Sequence, residues 1–353
     1  MPLAYRDHRE DPGAWARELG VSEEACRLLL TSDFIDLHCD LEVPVRVLGY
    51  DPARRHRGFR FCMGHTDYPR LLEAGMTGVV CDVATNVFRR APSRQAVTVR
   101  NLERMKARIE RHADQLALVR TRGDYDRARS GGRMAMWLAL QGGNALAEDP
   151  EVLQGPVGAL LHRITLVHLT NSTLGGTNSP MGRDRPLTDA GRDFVERCNA
   201  ARVLVDLSHA GRRTFWGALE AHAPDLPPIV SHTGVCGVWP HWRNVDDEQI
   251  RAIADRGGVI GIIYHNAFLG RGLLLGRRAN IVDHLAHVID LVGEDHAAIG
   301  TDYDGMIVPP RDLADVTHHP RLVQDMLDRG WSPERIRKVL GENYLRVVAR
   351  LRP

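Results

Sequence analysis

The side chains of Asp36, His38 and Asp40 close an apolar run that starts at Phe34. On an extended strand alternate side chains share one face, so these three groups point the same way. An imidazole and a carboxylate two residues apart can bind one metal ion, and nitrogen plus oxygen ligands suit Zn²⁺ and related metals. A single His-x-Asp pattern is also typical of a hydrogen-bonded loop end. The metal hypothesis therefore depends on what the rest of the chain supplies.

Seven further apolar runs end in residues that can bind a metal ion or transfer a proton. Taken singly these residues have structural explanations, since His168 could be a core histidine, His209 a helix cap and His232 a turn residue. If the runs are parallel strands, their ends meet on one rim, and four histidines with several carboxylates on one rim favour a metal site. The residues at these ends are Asp82, Gln141, His168, His209, His232, Tyr264 with His265, and Asp302 with Asp304.

The elements that must position these groups are short buried runs that alternate with stretches of helical periodicity. This alternation is typical of βα units around a parallel sheet, and eight units predict a (β/α)₈ TIM barrel. A doubly wound open sheet would need a Gly-rich phosphate loop after an early strand, and none is present in that context. The predicted strands are Phe34–Asp40, Gly78–Ala84, Met134–Gln141, Ile164–His168, Val203–His209, Ile229–His232, Val259–Tyr264 and Ala297–Asp302. The predicted helices are Val97–Ala117, Leu187–Ala200, Arg212–His222, Asp246–Asp255, Ile281–Val292 and Arg321–Asp328.

No linker divides the chain, so residues 1–353 are predicted to form a single α/β domain. Residues 1–32 are expected to form one or two short leading helices, and residues 33–330 the barrel. Residues 331–353 are expected to form a closing helix, in which Ser332 is the N-cap and Pro333 takes the first helical position.

Composition excludes several classes of function. The 46 basic and 45 acidic residues nearly balance, which argues against a nucleic-acid partner. All but two of the bases, Lys106 and Lys338, are arginines, and these are interpreted as solvated surface residues. The six cysteines form no CxxC pair or disulfide framework. The N-terminus lacks the apolar core of a signal peptide and no apolar run is long enough to span a bilayer, so a cytoplasmic protein without membrane attachment is expected.

Several segments together resemble the membrane (renal) dipeptidase family of zinc peptidases, and in particular its soluble bacterial members. They run in the family's order from about residue 33 to the C-terminus. The resemblance implies a (β/α)₈ barrel, two zinc ions, a small peptide substrate and a homodimer. The segments are 36–40 (DLHCD), 67–71 (DYPRL), 166–171 (LVHLTN), 187–191 (LTDAG), 205–209 (VDLSH), 230–232 (VSH), 243–245 (RNV), 299–305 (IGTDYDG) and 341–343 (GEN).

The resemblance also implies roles for individual residues. His38 and Asp40 would bind the first metal ion, and His209 and His232 the second. His168 would contact the scissile carbonyl and Arg243 would pair with the terminal carboxylate of the substrate, for which a guanidinium is well shaped. Asp302 would take and return the proton during attack by metal-activated water, and Tyr264 would be a further substrate contact.

One position departs from the family pattern. The family's bridging glutamate corresponds to Gln141, in Leu140-Gln141-Gly142-Gly143. A carboxylate has two anionic oxygens that can join two cations, whereas a carboxamide offers one neutral oxygen. Two metal ions would then repel each other with less compensation. The sequence therefore leaves two alternatives open. Either the second metal ion binds weakly or not at all, or the Gln141 oxygen still coordinates and the enzyme's activity is only modified.

Three functions follow from these residues. The first is a metal-dependent dipeptidase-like hydrolase of a dipeptide or similar small amide. The second is another amidohydrolase, which is disfavoured because strand one carries His-x-Asp rather than His-x-His and because Lys106 and Lys338 fall in helix-like segments. The third is a catalytically reduced or mononuclear homologue that binds a peptide or metabolite, and Gln141 is its motivation.

Overall fold

A computed structural model of the chain describes residues 2–56, 61–86 and 89–353. Each strand within these ranges is buried over most of its length, so every strand can pack on both faces. The strands are β1 (Ile35–Cys39), β2 (Gly78–Ala84), β3 (Leu116–Leu118), β4 (Met134–Gln141), β5 (Arg163–Thr165), β6 (Leu204–Asp206), β7 (Val230–Thr233), β8 (Ile260–Ile262) and β9 (Ala297–Ile299).

The strands are parallel and close into a ring. One sheet has the order β1-β2-β4-β5-β6, a second has the order β7-β8-β9, and β3 pairs with β4 outside this path. Isolated parallel bridges join the two sheets at Asp206 with Ile229 and at Cys39 with Tyr303. At the second junction Asp40 N donates to Tyr303 O over 2.8 Å. The fold is therefore the predicted (β/α)₈ barrel, with the C-terminal ends of eight strands on one rim.

Helices surround the barrel and precede and follow it. The leading helices α1 and α2 begin at side-chain N-caps, Asp11 and Ser22. The helices within the described ranges are α1 (Pro12–Leu19), α2 (Glu23–Thr31), α3 (Glu42–Leu48), α4 (Tyr68–Glu73), α5 (Ala91–Glu110), α6 (Arg122–Ser130), α7 (Pro156–Leu160), α8 (Asp189–Ala200), α9 (Arg212–Ala221), α10 (Asp247–Asp255), α11 (Asn266–Leu269), α12 (Arg278–Val292), α13 (His319–Asp328), α14 (Pro333–Arg337) and α15 (Asn343–Leu351). No helix among them combines the length and apolar character needed to cross a bilayer.

The eight predicted strands correspond to β1, β2 and β4 to β9, but one predicted helix ends too late. The expected helix Val97–Ala117 stops at Glu110, and Leu116–Leu118 instead forms β3. A turn closed by Leu116 N donating to His112 O, 2.8 Å long, separates the two elements. β3 then pairs with Met134–Met136 of β4, so sheet pairing overrides the helical spacing of its leucines.

The closing segment begins as predicted. The Ser332 hydroxyl accepts a hydrogen bond from Arg335 N over 3.2 Å, and Pro333 opens α14. A π-helical turn, Lys338–Glu342, then joins α14 to α15. The closing helix is thus present but irregular at its centre.

Strand β1 shows how the chain separates its two faces. Ile35, Leu37 and Cys39 pack into the apolar core. Asp36 accepts hydrogen bonds from Thr301 N at 2.9 Å and from Thr301 Oγ1 at 2.6 Å. Alternation along the strand therefore directs Asp36 and His38 towards polar partners and leaves Cys39 packed in the core.

The N-terminal segment is held to the barrel by a buried ion cluster. His8 stacks on Trp15 with ring centroids 4.1 Å apart, and His8 Nε2 lies 3.7 Å from Glu73 Oε1. Arg55 pairs with both oxygens of Glu73. Although burial opposes ionisation, the nearby imidazole of His8 and the hydrogen-bonded guanidinium of Arg55 lower the pKa of Glu73 to about 2. The cluster is therefore a pH-sensitive link between the leading helices and α4.

Candidate metal centre

The carboxamide of Gln141 lies among three imidazoles at the rim of the barrel. Gln141 Nε2 is 3.3 Å from His38 Nε2, 3.4 Å from His209 Nε2 and 3.5 Å from His232 Nε2. His209 Nε2 and His232 Nε2 are 2.9 Å apart, and the rings of His38 and His232 stack at 3.7 Å. Rotation of the amide by half a turn would exchange its nitrogen and oxygen at this point. The strand ends thus bring together four of the predicted metal ligands, namely His38, Gln141, His209 and His232.

Carboxylates surround His38. His38 Nε2 lies 3.6 Å from Asp40 Oδ2 and 3.4 Å from Asp302 Oδ1, and His38 Nδ1 lies 3.0 Å from Asp82 Oδ2. Burial alone would lower the pKa of His38, but the three carboxylates outweigh it and hold that pKa well above its ordinary value, with Asp82 acting most strongly. This negative charge attracts a cation, either a proton on His38 or a metal ion beside it.

The other two imidazoles are in the form that binds metals. Burial lowers the pKa of His209 and of His232 well below the ordinary value, and the neighbouring cations reinforce the effect. Both rings are therefore neutral at pH 7, and neutral imidazole is the ligand species. Ligand atoms of His38, His232 and Asp302 all lie within 4.8 Å of one another.

The donor atoms that remain unsatisfied fit a metal ion. Among the described residues, Gln141 Oε1 and Asp40 Oδ1 are buried and have no hydrogen-bond partner. A buried polar atom without a partner costs about 1–3 kcal/mol. Nitrogen and oxygen donors that converge on one point are the ligand set of Zn²⁺ and its neighbours in the transition series. A metal ion is thus the species that this arrangement can hold.

A buried arginine supports the centre from inside the barrel, and the sequence analysis missed it. Arg163 is fully buried and its guanidinium pairs with Asp82 on one side and Asp206 on the other. Its Nη2 also lies 3.0 Å from His38 Nδ1. Asp82 is thus held where it can accept a hydrogen bond from His38 Nδ1, which leaves Nε2 free to face the centre. The sequence signal that could have revealed it is the position of Arg163 within an otherwise largely apolar stretch, residues 160–167.

The opposite side of the centre is oriented in a similar way. Ser231 Oγ donates to Asp206 Oδ2 over 2.5 Å and lies 2.8 Å from His232 Nδ1. Asp206 also accepts from the backbone nitrogens of Ser208 and Ser231, each over 3.0 Å. These contacts fix the ring of His232 through Nδ1 and aim its Nε2 at the centre.

The backbone is strained at two of the candidate site residues. His209 has φ +65° and Asp302 has φ +60°, in the left-handed region that residues with a Cβ rarely adopt. Holding a residue in this backbone conformation costs about 1–3 kcal/mol, and the conformation persists only where the surrounding contacts enforce it. Gly305 approaches so closely that a Cβ there would press on Asp302 Oδ1 and lie 2.7 Å from Asp40 Oδ2. The loop after β9 therefore needs a glycine to seat both carboxylates.

Two of the predicted substrate residues adjoin the cluster. The rings of His168 and His209 are perpendicular with centroids 4.8 Å apart, and burial lowers the pKa of His168 to about 3. Arg243 Nη2 donates to His232 O over 2.7 Å, and burial lowers the pKa of Arg243 only to about 10, so it stays charged. A cavity of ≈ 380 Å³ opens beside His209 and Arg243.

Tyr264 has a different environment. Its ring packs edge-on to Tyr303 at 5.5 Å and lies 5.6 Å from the ring of His319. Its hydroxyl is buried and has no hydrogen-bond partner among the described residues. No hydrogen bond or ring contact in the described part of the chain joins it to the imidazole cluster, so its role as a substrate contact stays a prediction.

Comparison with known proteins agrees with this architecture. The profile described as membrane dipeptidase, Peptidase family M19, matches residues 22–352. An uncharacterized protein in the pqqA 5′ region of Klebsiella pneumoniae is 32% identical over 255 residues, which are 69% of this chain and 92% of that protein. Dipeptidase tcpJ of Claviceps purpurea (strain 20.1) is 29% identical over 300 residues, which are 81% of this chain and 69% of that protein.

A solved structure is similar over most of the chain. It is a metallopeptidase from Rhodobacter sphaeroides crystallised with a phosphinate mimic of the dipeptide L-Ala-D-Ala, and its identity to this chain is 25%. The superposition has a TM-score of 0.80 and covers 91% of this chain and 99% of that one. The chain therefore belongs to the membrane dipeptidase family, Peptidase family M19, and is a metal-dependent hydrolase of peptide bonds.

Proposed function

We propose that the protein cleaves the amide bond of a dipeptide or a similar small amide at a metal centre on the barrel rim. The observation that carries the proposal is the convergence of three imidazole Nε2 atoms on the Gln141 carboxamide, with two carboxylates alongside. The metal, which we propose to be zinc, supplies Lewis acidity that activates water and polarises a carbonyl. The proposed ligands are His38, Asp40, Gln141, His209 and His232.

The other site residues bind substrate and move protons. Asp302, 3.4 Å from His38 Nε2, takes a proton from the attacking water and returns it to the leaving amine. His168 is neutral and partly exposed, so it can donate a hydrogen bond to the developing oxyanion. Arg243 stays cationic and binds the terminal carboxylate of the substrate. Tyr264 is proposed as a further substrate contact.

Gln141 limits the charge that the centre can hold. A neutral oxygen replaces an anionic one at the point where the three imidazoles meet, so two cations there would be less compensated. We infer that one zinc ion is held tightly and the second weakly. The same observation supports a second candidate, a mononuclear or catalytically reduced homologue that binds a peptide or metabolite without turning it over.

Three further features belong to this proposal. The described cysteines are all free thiols, which supports a cytoplasmic location. A homodimer is expected from the family resemblance. We also propose that residues 1–353 form one domain, because the leading helix α2 contacts α13 and α14 of the barrel's final segment.

The test is dipeptide hydrolysis by the zinc-loaded chain and by two variants, His38→Ala and Asp302→Asn. Each should lose about 10²–10⁴-fold in kcat/KM, because one removes a ligand and the other the proton carrier. His38→Ala should also bind less zinc, whereas the zinc affinity of Asp302→Asn should change less.

The matched controls are His296→Ala and Asp290→Asn, which lie outside the cluster and should retain activity. Unchanged turnover in the two site variants would refute the assignment, and bound zinc without turnover in the native chain would favour the second candidate.

A further inference from the structure

A second cavity near the metal centre has five arginines among its fourteen lining residues. It measures ≈ 660 Å³, within the range of small-molecule sites, and lies between α3 and α5 at the C-terminal end of β2. Its basic side chains, which we call the arginine pocket, are Arg46, Arg89, Arg100, Arg104 and Arg108. The single acidic residue in its wall, Glu42, already pairs with Arg108. The pocket therefore carries a large excess of positive charge.

Four of the five arginines of this pocket lack the carboxylate partners that other arginines of the chain have. Among the described residues no carboxylate lies within ion-pair distance of these four, and the buried Nε of Arg89 has no acceptor. By contrast Arg197, Arg212 and Arg278 each pair with two carboxylates. Unpaired cations at this density repel one another, and an anion would relieve the repulsion.

The sequence spacing shows that three of these side chains form a row. Arg100, Arg104 and Arg108 are four residues apart on α5, so they share one helix face about one turn from each other. Arg46 reaches across from α3 and donates to Ala84 O over 3.0 Å, at the last residue of β2. The row and Arg46 thus form two facing walls.

One wall of the pocket lies next to residues of the metal centre. Arg46 is close enough to Asp40 for their charges to interact, and Asp40 is a proposed metal ligand. Thr85, another wall residue, donates from its nitrogen to Gln141 O over 2.9 Å and from Oγ1 to Gly142 O over 3.0 Å. These contacts place the wall beside the proposed ligand Gln141, where it can border one end of a substrate bound at the centre.

The position of the pocket around the barrel identifies that end. Arg243 lies in the loop after β7, and in the ring β1-β2-β4-β5-β6-β7-β8-β9 strand β7 is four strands from β2 in either direction. The arginine pocket and Arg243 thus lie across the rim from each other. If Arg243 binds the C-terminal carboxylate, the opposite side receives the N-terminal residue of the substrate.

We propose that the arginine pocket binds an anionic group, a carboxylate or a phosphate, on the substrate residue N-terminal to the scissile amide. The inference rests on the proposed function for the orientation of the substrate. It assigns the chain to acidic dipeptides, whose two negative ends match Arg243 on one side of the rim and the arginine pocket on the other.

The experiment compares Glu-Gly with Gln-Gly and phosphoseryl-Gly with Ser-Gly as substrates of the zinc-loaded full chain. We expect kcat/KM to be at least about tenfold higher for an acidic substrate than for its neutral partner, and this ratio to fall as salt is added. The two acidic arms show whether carboxylate or phosphate is preferred. Arg46→Gln and Arg104→Gln should each reduce the ratio about two- to fivefold, the range of an exposed ion pair. Lys106→Gln on the same helix removes one charge outside the pocket and should leave the ratio unchanged.

A binding measurement separates this inference from the proposed function. The full chain, treated with a chelator so that no turnover occurs, is titrated calorimetrically with Glu-Gly and Gln-Gly, and melting curves show that the variants are folded. Tighter binding of Glu-Gly that is lost in Arg46→Gln with Arg104→Gln supports the pocket even if no dipeptide is hydrolysed. Equal affinities and equal kcat/KM for the acidic and neutral substrates overturn it, while hydrolysis of both leaves the proposed function intact.

Discussion

Replacing Arg163 with methionine should destabilise the protein strongly. Its guanidinium is fully buried between Asp82 and Asp206, and methionine would leave both carboxylates buried without their cation. Removing one partner of a buried ion pair costs about 3–5 kcal/mol. For a chain of 353 residues the unfolding entropy is roughly 0.7 kcal/mol per kelvin, so the melting temperature should fall by about 4–7 °C.

The assay is differential scanning calorimetry of the chelator-treated protein, so that metal binding does not contribute to the melting temperature. Adding Asp82→Asn to Arg163→Met should recover part of the loss, because it removes one of the two unpaired charges. The control is Arg251→Met, an exposed arginine of α10, which should shift the melting temperature by less than about 1 °C. If Arg163→Met also shifts it by less than 1 °C, the buried network of Arg163, Asp82 and Asp206 does not stabilise the barrel.

Three other perturbations follow from the structure. Gly305→Ala should lower zinc affinity at least about tenfold by calorimetry, because the new Cβ displaces the carboxylates of Asp40 and Asp302 while the fold is retained. Glu73→Gln should cost about 1–2 kcal/mol at pH 7, measured by urea unfolding. Because the folded pKa of Glu73 is lowered to about 2, its stabilisation is present above the unfolded pKa of about 4.5 and is lost as the pH falls towards 2, so the gap to Glu73→Gln should narrow by pH 3. Ser332→Ala removes an N-cap and should cost about 1 kcal/mol, or about 1–2 °C in melting temperature.

Each of these has a result that would contradict it. Native zinc affinity in Gly305→Ala would mean that the loop after β9 can yield without moving the carboxylates. A stability gap for Glu73→Gln that is constant between pH 7 and pH 3 would show that the ionised carboxylate contributes nothing. An unchanged melting temperature for Ser332→Ala would mean that the hydroxyl is not needed to start α14.

The positions of the barrel strands could be predicted because each is a short apolar run that ends in polar residues. β3 could not, since Leu116–Leu118 continues the helical spacing of α5. Its strand character comes from pairing with β4, which is a tertiary effect. The π-helical turn Lys338–Glu342 likewise leaves no mark in the pattern of apolar residues.

The convergence of His38, Gln141, His209 and His232 could be predicted because the C-terminal ends of parallel strands meet on one rim. The pairing of Arg163 with Asp82 and Asp206 could not, because it depends on the register of three different strands. The sequence analysis interpreted the arginines as solvated, and Arg46, Arg100 and Arg104 are exposed, but it did not show that five arginines line one pocket. The row on α5 is visible in the sequence, whereas the approach of Arg46 and Arg89 from other segments needs the fold.

The central claim is that Gln141 occupies the point where the metal ligands meet. At an effective dielectric constant of about 20, two unit charges 4 Å apart interact by about 4 kcal/mol, so an added carboxylate there should strengthen the second metal site by at least about 100-fold. The direct test is zinc titration by calorimetry, with metal content by mass spectrometry, for the native chain and for Gln141→Glu. We expect one tight and one weak site in the native chain and two tight sites in Gln141→Glu. Identical stoichiometry and affinity in the two proteins, or no zinc bound by either, would contradict the account.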